Sequence, residues 1–522
     1  MSELFEEKNV YVPTDYRVGS KGIIEEVQKH TSLYLIIVLW VFGCMFSELV
    51  IRGGFGISVP ILVTTFYIIA AVFFKGKENA FSKVSMILIV PIAIISVCFV
   101  FVDSGITTFV NVLVLLVLIF IQLTAMSGNL TKGISDSGTF IDAMKSFIGV
   151  PIQYLDMPFK ALNSTKKGTK SNKTITKVLV GLLCAIPLVI IFLALFSSAD
   201  EEFATMFRNI VEKIDFGIDN IIVDAIIGFF AAVYLGTVFL TMRGRKKEED
   251  LTDRKLSKIS STTIVSFLFA INVVQILFVI VQFKYMFKSV DITSISDHAR
   301  QGFFELCVAV GLVAVIIMFI AIFCKRRENG KMSTPLSISL TVLILCNYVI
   351  FASSMKRMMD YMTYDLTIKR VATMWLMTLF ILCFIGVTIY IWAPKLKIFL
   401  WVTISVIVMT IGLNCLNVDR LVAKHNIDKY IASKTATGEY EKALDIDVLH
   451  GLSLASVPEV DRLFETPMAG EAKTILEEKR TSHSYDSWRN FKVSFIEADR
   501  IFEKRNIEIR YDRITDYYYE EY

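Results

Sequence analysis

Asn414-Cys-Leu-Asn-Val-Asp-Arg-Leu-Val-Ala-Lys-His-Asn-Ile427 is where the sequence changes character. Ahead of it lie long apolar runs separated by short charged joints. Behind it, residues 415–522 are polar, mixed in charge and free of any long apolar run. That boundary decides the fold class. The chain is all-α, a polytopic α-helical transmembrane bundle with a small C-terminal helical soluble domain.

Working back from the boundary, apolar runs cover about 32–51, 57–74, 85–102, 105–126, 175–197, 221–242, 262–285, 303–324, 335–355, 371–392 and 396–414. These are about eleven candidate spans. Each is near the length that crosses a hydrocarbon core of ~30 Å at ~1.5 Å per residue. They are read as helices, because an isolated strand leaves backbone groups unpaired in lipid and no alternating barrel pattern occurs. The composition agrees: 54% hydrophobic residues with 40 Phe, only 20% charged, and a mean hydropathy of +0.58. The net charge of +4 says less than the placement of the charges.

Assigning the joints alternately to two sides gives one set rich in cations. It holds 1–31, 75–84, 127–174, 243–261, 325–334 and 393–395, with Lys166, Lys167, Arg245, Lys246, Lys247 and Lys325-Arg-Arg327 among them. The positive-inside rule places this set in the cytoplasm. The N-terminus is then cytoplasmic and the C-terminal domain extracytoplasmic, in a multi-pass protein of the cell membrane. The polar first 30 residues hold no apolar signal core, so the first span is expected to insert as an anchor.

Four parts follow: a cytoplasmic segment 1–31, an N-terminal membrane part 32–258 (spans 1–6), a second membrane part 259–414 (spans 7–11), and the soluble domain 415–522. Within the first membrane part, 138–162 and 199–218 read as amphipathic interfacial helices. Phe140, Ile141, Met144, Phe147 and Ile148 form the stripe of one, and Ser198-Ala-Asp-Glu201 fits a capping box before the other. In the C-terminal domain, Asp445 and Asp447 read as a helix start, Lys434–Lys442 as a polar linker, and Trp488, Phe491, Phe495, Ile496 and Phe502 as one apolar face. The eight cysteines sit in or beside apolar runs and read as packing residues, with no disulfide framework.

Some motifs are familiar. Ser296-Asp-His-Ala-Arg-Gln-Gly-Phe-Phe-Glu-Leu306, then Arg357-Met-Met-Asp-Tyr361 with Tyr364-Asp-Leu-Thr367 and Arg370, then Asn417-Val-Asp-Arg-Leu-Val-Ala-Lys-His-Asn-Ile427 and Leu444–Leu449, occur in order. Together they resemble the bacterial membrane proteins grouped as domain of unknown function 4173, which has a relative numbered 4153. The resemblance covers about 260–465. It implies a bacterial multi-pass membrane protein and carries no activity.

Chemistry is sought first where charge meets apolar flanks, since an ionised group at mid-bilayer costs about 3 kcal/mol or more. Glu48 and Asp224 lie near span ends and read as snorkelling groups. Asn272, Gln275, Gln282 and Asn347 within spans read as interhelical hydrogen-bonding groups. The richest collection joins the outer ends of spans seven to eleven: Asp297, His298, Arg300 and Glu305; Arg357, Asp360, Tyr361, Asp365 and Arg370; Asn417, Asp419 and Asn426. A buried ion-pair network is expected there. It either staples the C-terminal domain to the bundle or forms an outer polar pocket that holds a lipid headgroup, sugar carrier or small anion, with Arg300, Arg357 and Arg370 as the anion-holding groups.

No His-Glu-x-x-His, phosphate-cradling glycine loop, Gly-x-Ser-x-Gly or Cys-x-x-Cys occurs. No catalytic set, metal site or cofactor is therefore assigned, and nothing favours nucleic acid. Three readings remain. The first is a structural or regulatory envelope protein whose outer domain binds a protein partner. The second is a transporter or flippase with a polar path through spans 6–10, and the third an enzyme acting on a lipid-linked substrate at the outer face. The bilayer is a partner in all three.

Overall fold

Continuous apolar sequence with its backbone bonds closed within each segment gives helices, and helices dominate the computed structural model. It describes residues 32–77, 80–130, 139–159, parts of 189–206, 219–244, 259–287, 306 and 308–320, 324, 332–362, 365–435, 439–483 except 442, and 487–509. The cytoplasmic segment 1–31, most of the candidate span 175–197 and most of the candidate helix 199–218 lie outside these residues.

The bundle comprises α1 (Ser32–Phe46), α2 (Ser58–Phe74), α3 (Lys83–Met86), α4 (Ile89–Phe101), α5 (Gly105–Met126), α6 (Thr139–Met144), α7 (Val150–Gln153) and α8 (Asp219–Gly244) in its first part. The second part holds α9 (Ser261–Phe287), α10 (Val308–Ile320), α11 (Thr334–Met362), α12 (Ile368–Trp392) and α13 (Ile398–Leu416). Among the described residues, seven helices are long and apolar enough to cross a membrane. They are α1 with its extension to Ile51, α5, α8, α9, α11, α12 and α13; α2, α4 and α10 are shorter apolar helices. Pro91 explains why α4 is short. It cannot donate to the carbonyl of Ile87, and the helix opens at Ile87–Leu88, separating α3 from α4.

Close helix contacts use glycine and tryptophan. A Cβ on Gly43 of α1 would lie 2.6 Å from Ala231 Cβ and 2.7 Å from Gly228 Cα of α8. A Cβ on Gly228 would meet the carbonyl oxygen of Trp40 at 2.7 Å. Small residues let these backbones approach, as apolar solvent gives helices little other reason to associate. The indole of Trp40 then donates to Ala225 O at 2.9 Å. Trp375 and Trp401 likewise cross between α12 and α13, donating to Met409 O and Leu382 O, each at 2.8 Å. Asn111 of α5 and Asn414 of α13 exchange two side-chain hydrogen bonds of 2.8 Å inside the bundle.

The segment 138–162 does not form a single lipid-facing stripe. Phe147 is fully buried, stacked on Phe120 with ring centroids 3.9 Å apart, and its carbonyl accepts from Tyr234 Oη at 2.6 Å. Phe140, Ile148 and Ile152 face outward. A π-turn over Lys145–Gly149 separates the two faces. It adds a residue to the turn and rotates the pattern. Within 199–218, Asp200 caps a helix start, its Oδ1 accepting from Phe203 N at 2.9 Å, while Ser198 of the expected capping box lies outside the described residues.

After the bundle, the chain folds as a layer of shorter helices: α14 (Val418–Ala432), α15 (Ile446–His450), α16 (Val457–Val460), α17 (Ala469–His483) and α18 (Val493–Lys504). We call this layer the cap. In α14, Val418, Val422, Ala423, Ile427 and Tyr430 face inward at helical spacing. They pack with Leu449, Val457, Val460, Leu476, Phe495 and Phe502. The same cluster runs on into Leu366, Val371 and Leu413, with Ile106, Val110 and Trp375 against it. The apolar core of the cap is thus continuous with the end of the bundle.

Three expectations about the cap are settled locally. Asp445 caps α15, its Oδ1 accepting from Val448 N at 3.3 Å, as the Asp-x-Asp spacing implied. The stretch after Ser433 is folded back rather than a linker. Glu441 N donates to Ser433 O at 3.2 Å, and Tyr440 stacks on Tyr430 at 4.5 Å. Trp488 and Ile496 are exposed and do not share the buried face of Phe495 and Phe502. Trp488 lies in a separate 3-10 turn before α18, which breaks the helical periodicity the sequence implied.

Candidate functional site

The polar chemistry collects where the cap meets the bundle, in three joints. The first is built on Asp103, in the three-residue turn between α4 and α5. A charge there has no local partner within the bundle, and the cap supplies one. Lys492 Nζ lies 2.6 Å from Asp103 Oδ1, and both side chains are about nine-tenths buried. Ser494 donates to Asp103 Oδ2 at 3.3 Å, and the Ser453 hydroxyl donates to the Asp103 carbonyl. Ser453 N in turn donates to Asp419 Oδ2 at 2.8 Å.

Asp419 stands in the first turn of α14, where the helix dipole favours an anion. Burial still pushes its carboxyl above the ordinary range. The nearby Ser104 hydroxyl and the hydrogen bond from Ser453 oppose this, and the Asp103 charge adds to it. Behind it Lys479 is buried, donating to Leu452 O and, at 3.4 Å, to His450 O, so it satisfies the carbonyls at the end of α15. Burial lowers the Lys479 ammonium to about 8, against the upward pull of Asp419, Asp103 and Glu478.

The second joint is the Arg52-Gly-Gly-Phe-Gly56 turn. A π-turn over Ser47–Ile51 ends the first span and carries Glu48. Glu48 pairs with Arg52 at 3.0 Å and with Arg489 of the cap, and Arg52 also pairs with Asp224 of α8. Glu48 and Asp224 are therefore ion-paired here rather than simply snorkelling. The glycines allow the contact: a Cβ on Gly56 would lie 2.5–2.8 Å from backbone atoms of Asn490, and one on Gly53 2.6 Å from Arg489. Gly54 takes a left-handed φ of +79°. Ile57 N donates to Phe491 O at 3.2 Å, closing the joint with a main-chain bond.

The third joint is the one the sequence pointed to. Asn417 takes a left-handed φ of 43°, ending α13 and starting α14 in one residue, a conformation Asn tolerates. Asn426 then clamps the extended residue Leu366, accepting from its N–H at 2.7 Å and donating to its carbonyl at 2.9 Å. Arg370 donates to the carbonyl of Asp365.

Of the twelve residues singled out in the sequence, Asp365, Arg370, Asn417, Asp419 and Asn426 are brought to this cap–bundle boundary. Asp297, His298, Arg300 and Glu305 lie outside the described residues. Arg357, Asp360 and Tyr361 lie on the last turns of α11, and their side chains are not described. The ion pairs fall elsewhere than expected. Asp103, Glu48, Arg52 and Asp224 come from the first half of the chain, and Lys479, Arg489 and Lys492 from its last part. Gly53-Gly-Phe-Gly56 was the available signal, since clustered glycines mark close backbone approach. Among the described residues no His, Cys, Asp and Glu group has metal-binding geometry.

In chemical terms, the joints pair charges across the boundary, while Asp224 Oδ1, Asn417 Oδ1, Asp419 Oδ1 and Arg489 Nε are buried without a hydrogen-bond partner among the described residues. Further pairs brace the cap itself: Arg420 joins Glu459 at 3.3 Å and Glu497 at 3.1 Å, and Arg462 joins Asp428 at 2.6 Å and Glu459 at 2.9 Å.

A family model described as "Domain of unknown function (DUF4153)" matches residues 89–463. This is the related family, not the one numbered 4173, and the match begins well before the motifs that suggested it. It spans Asp103, Asp224, Asp419 and Asn426 but not Glu48, Lys479, Arg489 or Lys492. No curated protein and no solved structure matches the chain.

Proposed function

Because the chain belongs to the DUF4153 family, which assigns no activity, we propose an architectural role for it. It is an integral membrane protein with a structural or regulatory role in the cell envelope. Its C-terminal helices form a cap locked onto the outer end of the bundle, and the free surface of the cap is what a protein partner meets. The observation that carries this reading is the Asp103–Lys492 pair, buried between a bundle turn and the cap and completed by Ser453 and Ser494. A buried charge of this kind fixes one arrangement, because separating the two halves strands it.

The outer placement is supported by the cations. The turns that meet the cap, 52–56, 102–104 and 365–367 with its flank, carry Arg52, Lys369 and Arg370, against Lys75, Lys77, Arg243, Lys395 and Lys397 in the opposite set.

A double-mutant cycle tests the reading. Asp103→Asn and Lys492→Met are each expected to lower membrane abundance and thermal stability, breaking a buried pair at a cost of about 3–5 kcal/mol. The double variant is expected to recover most of the loss. Normal abundance in both single variants, with the cellular phenotype lost, would instead mark a ligand site.

One observation favours a second reading, transport along a polar path through spans 6–10. Asn272 on α9 and Asn347 on α11 are buried, and the Oδ1 of each has no hydrogen-bond partner, although Asn272 Nδ2 reaches Ser339 O on α11 at 2.9 Å.

A further inference from the structure

Within the described cap, large apolar side chains are buried or partly buried with two exceptions, Trp488 and Ile496, which are 65% and 43% exposed. The placement of Trp488 is specific. It opens the short turn Trp488–Asn490, whose other two residues are the ones that seat on Gly53, Gly54 and Gly56. Phe491 N folds back to Trp488 O at 3.2 Å and so holds the turn closed. Trp488 therefore stands at the level where the first span ends. Ile51 at the end of that span and Phe55 in the turn that follows it are 57% and 37% exposed, so apolar surface lies open at this level. The other four tryptophans lie within the spans and each donates its indole N–H to another helix. Trp488 is the one in the cap and is turned outward.

We propose that Trp488 inserts into the headgroup region of the leaflet on the cap side, so that the cap is anchored to lipid as well as to the bundle. An indole suits that depth, because its ring is apolar and its N–H still reaches water or ester oxygens. The occupant is the bilayer rather than a protein because the turn that Trp488 opens seats on the glycine turn directly after an apolar span, beside the exposed Ile51 and Phe55. The adjacent cation Arg489 is engaged by Glu48, which leaves the aromatic ring as the contacting group. This inference rests on the cap being seated on the bundle end as described above.

The test uses the full chain in phosphatidylcholine vesicles. Fluorescence of the wild type minus that of Trp488→Phe isolates this indole, and Trp488→Tyr repeats the subtraction with an interfacial aromatic retained. Quenching is read with lipids brominated near the headgroup and with aqueous acrylamide. More than half of the Trp488 emission is expected to be lost to the shallow brominated lipid and little to acrylamide. Strong acrylamide quenching with no response to the brominated lipid overturns the anchor. A Gly54→Cys/Asn490→Cys disulfide in the same vesicles separates the two ways of failing. If that bond forms, the seated cap stands without the anchor; if it does not, both ideas fall.

Discussion

Lys479 carries a charge that burial disfavours. Its ammonium is buried against the carbonyls of His450 and Leu452 and lowered to about 8 from an ordinary 10.5. Below the lower value both folded and unfolded chains hold the proton. Between the two values the unfolded chain holds more, so stability rises with pH across that window. The full effect is roughly 3 kcal/mol. Thermal unfolding in detergent at pH 8 and pH 10 is expected to show this gain in the wild type. Lys479→Met should lack it; an equal gain in that variant would contradict the assignment. At this scale the sequence was legible only in part. Asn417, Asp419 and Asn426 could be read as a polar joint because they interrupt the apolar pattern within a few residues. Asp103 could not be matched to Lys492, because the partners lie 389 positions apart and no local period links them.

The glycines govern how the elements meet. Gly56 faces main-chain atoms of Asn490, which cannot move aside as a flexible side chain would. Gly56→Ala is expected to cost about 1–3 kcal/mol as an overpacked contact. The loss should appear as a lower unfolding temperature and easier proteolysis of the cap. Gly105, where a Cβ would meet open space, serves as the control, and an equal loss in Gly105→Ala would contradict the explanation. Span positions were readable because apolar length is a local property. The ends of α5, α8 and α13 fall within two residues of the sequence expectation, and α11 begins where expected but runs on to Met362, past the expected end at 355. The 138–162 segment was misread because a π-turn inside it shifts the phase, and helical periodicity presumes a constant 3.6 residues per turn. Trp488 was drawn into an apolar helix face for a similar reason, since a 3-10 turn separates it from α18.

At the scale of the whole molecule, the cap and the bundle share one apolar cluster and three polar joints. Two of these joints tie helices from the first half of the chain to its last part, so the termini of the fold are interlocked rather than arranged as separate beads. The general plan of membrane spans followed by short helices was visible in composition. The interlocking was not, because it depends on which turns share an end of the bundle. The most direct measurement is disulfide formation between Gly54→Cys and Asn490→Cys in native membranes. A Cβ on Gly54 would lie 3.7 Å from that of Asn490, the separation a disulfide requires. After cleavage at a protease site engineered into the 245–258 connector, the two fragments are expected to stay joined without reductant and to part with it. Each single variant should part in both conditions. Because Gly54 has a left-handed φ, the Gly54→Cys single variant must first keep the membrane abundance of the wild type; given that, fragments of the double variant that separate under oxidising conditions would show that the cap is not seated on the bundle.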